Sequence, residues 1–227
     1  MRMSESPPVA DFLETLPVRG RVLVRRLESF GDIVVGFSIS QLALQLGYPR
    51  HPADLTAHPI RYLIFFVTFA IIAIAWLRFH RMLTLAFAPG RIDLTCAFAY
   101  LAFTALLPYA MYANSELASD PMGARYGLAA YAICLVGSSS SAFFLSFRSI
   151  GRARGVLSLA DFGRLQQRTY IEGSIALAFA LVLASDVFFG PQWSWLFTSF
   201  IPISVSIIRR RFKAPSWSAV HVYGVDE

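Results

Sequence analysis

The chain has 227 residues, 56% of them hydrophobic and only 15% charged, with a formal net charge of +6. Mean hydropathy is +0.55, which excludes an ordinary soluble domain. The apolar residues come in long runs, the pattern of membrane helices. A hydrocarbon core of about 30 Å takes roughly 20 apolar residues per helix, so the chain holds six spans and little else. The expected fold class is therefore all-α, an integral membrane six-helix bundle.

In chain order, residues 1–28 read as a polar, cytosolic lead-in with a short surface helix near 9–16. The first span is expected at Ser29–Leu46 and closes at Gly47, Tyr48 and Pro49. A short connector rich in Pro and His leads to the most apolar span, Ile60–Phe79, whose far end carries Trp76, Arg78, His80 and Arg81. Pro89 and Gly90 precede the third span, Leu94–Ala113, which Pro108 is expected to kink. A Pro is tolerated in a membrane helix when neighbours satisfy the carbonyl it frees. The fourth span, Arg125–Phe147, contains Gly137 and Ser138–Ser141. Small residues at this density favour close helix packing over a hydroxyl-lined cavity. The fifth span, Thr169–Phe189, carries Glu172 and Asp186. Gly190 and Pro191 turn it into the sixth, Trp193–Ile208, which stops at Arg209, Arg210, Arg211 and Lys213. The transmembrane domain is thus 29–213, with 214–227 a cytosolic tail.

Orientation follows from the 20 Lys and Arg. All but Arg50, Arg61 and Arg125 fall in the N-terminal segment, the second–third and fourth–fifth connections and the tail. The positive-inside rule then places both termini in the cytosol. Such a collar suits a bilayer with anionic headgroups, not nucleic acid. Arginine-rich faces and compact loops point to the inner membrane of a bacterium.

No chemistry of an enzyme is written here. The sequence lacks GxSxG, HExxH, a phosphate-cradling Gly loop and a Cys/His ligand cluster. No enzyme activity, bound metal or cofactor is expected. Cys96 and Cys134 lie in apolar runs and read as small core residues. His51 and His58 are a weak metal pair that is discounted. The first residues lack the compact apolar run of a cleaved signal.

The polar residues of the first span carry the functional question. Ionisable groups within a span face protein or water. Asp32 is read as a structural carboxylate, in a network with Arg26 and His80 that clamps the first two helices, ahead of a proton-carrying group. Further along, Phe37, Ser40 or Gln41, and Leu44 recur at helical spacing and share one face. That face could be a packed helix interface. It could equally be a pore wall, with apolar rings that gate by dewetting and a hydroxyl ring between them. Periodicity leaves both open. The TVGYG filter of ordinary potassium channels is absent.

The run Arg26-Leu-Glu-Ser-Phe30-Gly31-Asp32 resembles the first-helix motif of the transmembrane protein 175 family: Arg, three residues, then Phe-Ser-Asp. The second span ends Trp76-Leu-Arg-Phe-His80-Arg81 and the third Leu106-Leu107-Pro108-Tyr109, in the order of that family's landmarks. The resemblance covers roughly residues 22–115. It implies a homotetrameric cation channel with six helices per subunit and no pore loop, in which the first helix lines the path and potassium is the favoured ion. By position, Arg26, Phe30 and Asp32 match the motif and His80 its second-helix partner, with Trp76 beside it. Phe37 stands at the constriction, Ser40 (with Gln41 adjacent) at the following hydroxyl, and Leu44 at the next ring. Three positions depart from the pattern. Gly31 replaces the motif serine, Ala97 stands where a third-helix asparagine is expected, and Phe37 replaces an aliphatic residue. The rival reading is a non-conducting membrane scaffold or partner subunit that keeps the channel fold. A proton-coupled carrier using Asp32 or Asp186 is weaker, because the two halves of the chain show no internal repeat.

Overall fold

The computed structural model describes residues 16–47, 51, 59–87, 89–117, 120–153, 159–189 and 194–212. The expected helix at 9–16 and His58 lie outside them. Among the described residues six helices follow one another: α1 (Val18–Leu44), α2 (Pro59–Ala86), α3 (Arg91–Glu116), α4 (Pro121–Ala153), α5 (Leu159–Phe189) and α6 (Ser194–Phe212). No strand occurs among the described residues. Five helices, α1 to α5, are long and apolar enough to cross a membrane. The chain is therefore a multi-pass helical membrane protein. The sixth span falls on α6, a 19-residue helix interrupted by Pro202 and ending on Arg209–Arg211. Its apolar part is short for the role.

The helices outrun the apolar runs that announced them. α1 begins at Val18 and not at Ser29, directly after Pro17. α4 has 33 residues and α5 has 31, about 50 Å and 47 Å of helix. Both exceed a hydrocarbon core of about 30 Å, so their ends stand in the headgroup region. α1 stops where Gly47 takes a positive φ of 70°, a conformation that costs a glycine nothing. α3 runs through Pro108, which is buried, and continues to Glu116.

Successive helices alternate in direction, as short connections require. The contacts mark the two ends. At one end, Glu28 of α1 meets His80 of α2, Arg78 of α2 meets Glu172 of α5, and Asp93 of α3 meets Arg148 and Arg152 of α4. At the other, Gln45, Ile64 and Tyr112 line a common recess, and Arg125 of α4 donates to the Asp186 carbonyl of α5 at 2.8 Å.

Packing is uneven. α3, α4 and α5 form the tight part of the subunit, with α6 against α5. Ser138, Ser139 and Ser141 are buried there, and Ser138 and Ser141 return their hydroxyl protons to the backbone of their own helix. These serines are packing residues, as expected. Cys134 is buried in a core shared by α1 to α4, and Cys96 leans on a second one. α1 rests on α2 and α3, through Val24, Leu27, Gly31, Val35, Ser38 and Leu42. Those positions form one helical stripe. On the opposite side of α1, Ile33, Phe37, Ser40 and Leu44 are exposed.

Candidate functional site

The open side of α1 runs from Arg26 through Phe30, Ile33 and Phe37 to Ser40 and Leu44, all exposed. Phe37 is 60% exposed and Leu44 69%. The two are seven residues apart, about 10 Å along the axis, with Ser40 between them. Gln41 turns toward the flank and is half-buried. The Ser40 hydroxyl donates to the Gly36 carbonyl at 2.9 Å. Its proton is thereby committed to the helix, and its lone pairs point away from it. An oxygen so arranged can accept from water or approach a cation, and it has no donor left to repel one. Ser38, two residues earlier, makes the same back-bond to Val34 at 2.7 Å but is fully buried against the subunit. The contrast separates the inner stripe from the outer one.

Around Asp32 the side chains pair differently from the expected network. The Trp76 indole N–H donates to Asp32 Oδ1 at 2.7 Å. His80 does not reach Asp32: its Nδ1 lies 2.7 Å from Glu28 Oε1. The two rings stack, Trp76 on His80, with centroids 6.1 Å apart. Arg26 is exposed one turn before Phe30 and belongs to neither pair. The clamp between α1 and α2 is thus a ladder of two rungs, Glu28–His80 and Asp32–Trp76. The reason is geometric: positions 28 and 32, like 76 and 80, are one turn apart on their helices and face each other in register. Phe30 adds an edge-to-face contact with Phe98 of α3 at 5.7 Å.

Gly31 has a definite role at this junction. A Cβ there would stand 2.6 Å from the ring of Phe79. Phe79 is buried, stacked on Tyr100 at 5.6 Å, and Tyr100 donates its hydroxyl to the Ala75 carbonyl at 2.7 Å. Ala97 is fully buried in the same cluster. The two departures from the motif therefore belong together. Gly31 leaves room for the Phe79 ring, and Ala97 is a small member of the same buried cluster.

Charge pairs that the sequence reading did not assemble close the same end of the bundle. Arg78 Nε donates to Glu172 Oε1 at 2.7 Å, tying α2 to α5, and a second guanidinium nitrogen meets Oε2. Asp93, in the first turn of α3, accepts on Oδ1 from Arg148 Nε at 3.0 Å and from Arg152 at 2.7 Å. Their signal was visible as ionisable residues near the ends of apolar runs, but the partners lie 55 to 94 residues apart.

These helices define an integral membrane subunit whose first helix shows a mixed apolar and hydroxyl stripe to the outside. Residues 26–108 match the model of a protein family described as the endosomal/lysosomal potassium channel TMEM175. The match covers most of α1, all of α2 and α3 up to its proline. No curated protein and no solved structure matches the chain.

Proposed function

We propose that this protein is a potassium-conducting cation channel whose path is walled by α1 from several copies of the chain, four in the reading the family resemblance implies. The observation that carries it is the open stripe of α1. Phe37, Ser40 and Leu44 are exposed in the subunit, on the side of α1 opposite the stripe that packs on α2 and α3. Around a shared axis, Phe37 and Leu44 form apolar rings and Ser40 a ring of hydroxyl lone pairs between them. An apolar ring excludes water when narrow, and a hydroxyl ring replaces part of an ion's hydration shell. Selectivity built this way is modest, because few oxygens face the ion.

The scaffold reading drew on Gly31, Ala97 and Phe37. Phe79 and Tyr100 give the first two a packing explanation independent of conduction. Phe37 faces outward, as a constriction residue must. In this reading the end of the bundle that carries Glu28, His80, Asp93 and Arg148 is cytosolic, by the distribution of basic residues, and anionic headgroups of an inner membrane surround it. The test is potassium flux into liposomes containing the purified protein. Phe37→Ala is expected to raise flux several-fold by widening the apolar ring. A Phe37→Ala protein that elutes as the parent oligomer and leaves flux unchanged removes Phe37 from the path.

A further inference from the structure

The cluster at the junction of α3 and α4 has unused donors. Asp93 has its side chain 3% exposed, and two arginines share its Oδ1. Arg148 uses only Nε in that contact. Its two terminal amino groups meet no protein acceptor among the described residues, and the side chain is 42% exposed. A guanidinium held by one nitrogen presents the others in a fixed fork, the geometry that suits phosphate oxygens. The surface beside it is equally specific. Phe144, Phe147, Arg148 and Gly151 are all exposed, and at spacings of three, four and seven they form one face of α4. Two phenyl rings therefore lead along the helix directly to the arginine, and beyond it Gly151 faces open space. Acyl chains against rings and a charged group at the end of the row are the two halves of a phospholipid.

We infer that Arg148, oriented by Asp93 and backed by Arg152, binds the phosphate of an anionic phospholipid whose acyl chains lie along Phe144 and Phe147. This needs the membrane-spanning fold but not conduction, and binding is read without any flux measurement. Asp93 fixes Arg148 from inside, and the phosphate accepts from its terminal amino groups outside.

The experiment is thermal unfolding of the purified full chain in a neutral detergent, titrated separately with phosphatidylglycerol, phosphatidylcholine and inorganic phosphate. Saturable stabilisation by phosphatidylglycerol, none by phosphatidylcholine and none by millimolar inorganic phosphate is expected. Arg148→Gln should weaken the half-saturating lipid concentration fivefold or more. Gly151→Glu should do the same by placing a carboxylate in open space one turn along the same face, without touching Asp93, and it serves if Arg148→Gln does not fold. Replacing Arg209, Arg210 and Arg211 together by Gln should change half-saturation less than twofold. An equal loss in that triple variant would reduce the effect to the general basic collar and overturn the site. Stabilisation by inorganic phosphate equal to that by the lipid would overturn the lipid assignment, and full stabilisation retained in both Arg148→Gln and Gly151→Glu would overturn the proposal.

Discussion

The subunit has a finished side and an unfinished one. Between α3, α4 and α5, ionisable groups are buried and paired: Asp93 takes two arginines, and Glu172 takes Arg78. Serines there return their protons to their own helix. Along α1 the contacts with α2 are half-exposed rungs, Glu28–His80 and Asp32–Trp76, and beyond them the helix shows Ile33, Phe37 and Leu44 to the outside. The difference teaches where each side gets its stability. The first pairs its buried Asp93 and Glu172 within one chain. The second leaves the outer stripe of α1 exposed, and the family match over 26–108 covers most of α1, all of α2 and α3 up to Pro108.

The comparison breaks most readily at Asp93. Asp93→Ala removes the buried acceptor shared by two part-exposed arginines, at a cost of about 1–3 kcal/mol. A thermal melt in detergent should show the loss in the isolated subunit and in the assembly alike. A melt within a degree of the parent would mean that the α3–α4 junction does not depend on its ions. Next comes Gly31. Gly31→Leu must displace the Phe79 ring and should cost about 1–3 kcal/mol. Gly31→Ser should cost less and be largely rescued by Phe79→Leu, with a coupling of about 0.5–3 kcal/mol in the double-mutant cycle. Additive losses would separate the two positions and leave Gly31 unexplained.

A smaller effect is expected at the rungs. Trp76→Phe keeps the ring and deletes the N–H donor to Asp32, worth about 1 kcal/mol at a half-exposed site. Asp32→Ala in that background should add little. A large further loss would give Asp32 a second role, in permeation or proton transfer. Smallest of all is Phe37→Ala, which should change subunit stability by about 0.5 kcal/mol or less, as surface positions do. A loss of several kcal/mol in a subunit-stability assay would mean that Phe37 is part of the finished side after all.

Much of this was legible in the sequence, for reasons that differ by element. The six helices announced themselves as apolar runs, and the shared face of Phe37, Ser40 and Leu44 followed from helical spacing. The helix ends did not follow. α1 from Val18, the last turn of α4 and the first turns of α5 are polar to amphipathic, because they stand outside the hydrocarbon, where no apolar run marks them. The clamp residues were identified but mispaired. Whether His80 meets Asp32 or Glu28 depends on the rotation and depth of two helices, and a shift of one turn exchanges one partner for the other. Gly31 and Ala97 could be read only as departures until Phe79 and Tyr100 showed what occupies the space. The Asp93 cluster was hidden by distance along the chain, although Arg148 and Arg152, four apart on one helix face, were its visible half.

The central claim is that the open stripe of α1 faces a shared, water-filled axis. It is tested most directly at Ser40. In a background with Cys96 and Cys134 replaced by Ala, Ser40→Cys places one thiol per chain on that stripe. The protein is reconstituted in liposomes and exposed to a water-soluble, positively charged thiol reagent while potassium flux is followed. Complete modification with flux falling to the protein-free level is the predicted result. A thiol that reacts only with a lipid-soluble reagent, with flux untouched, would turn the stripe toward acyl chains and contradict the conduit.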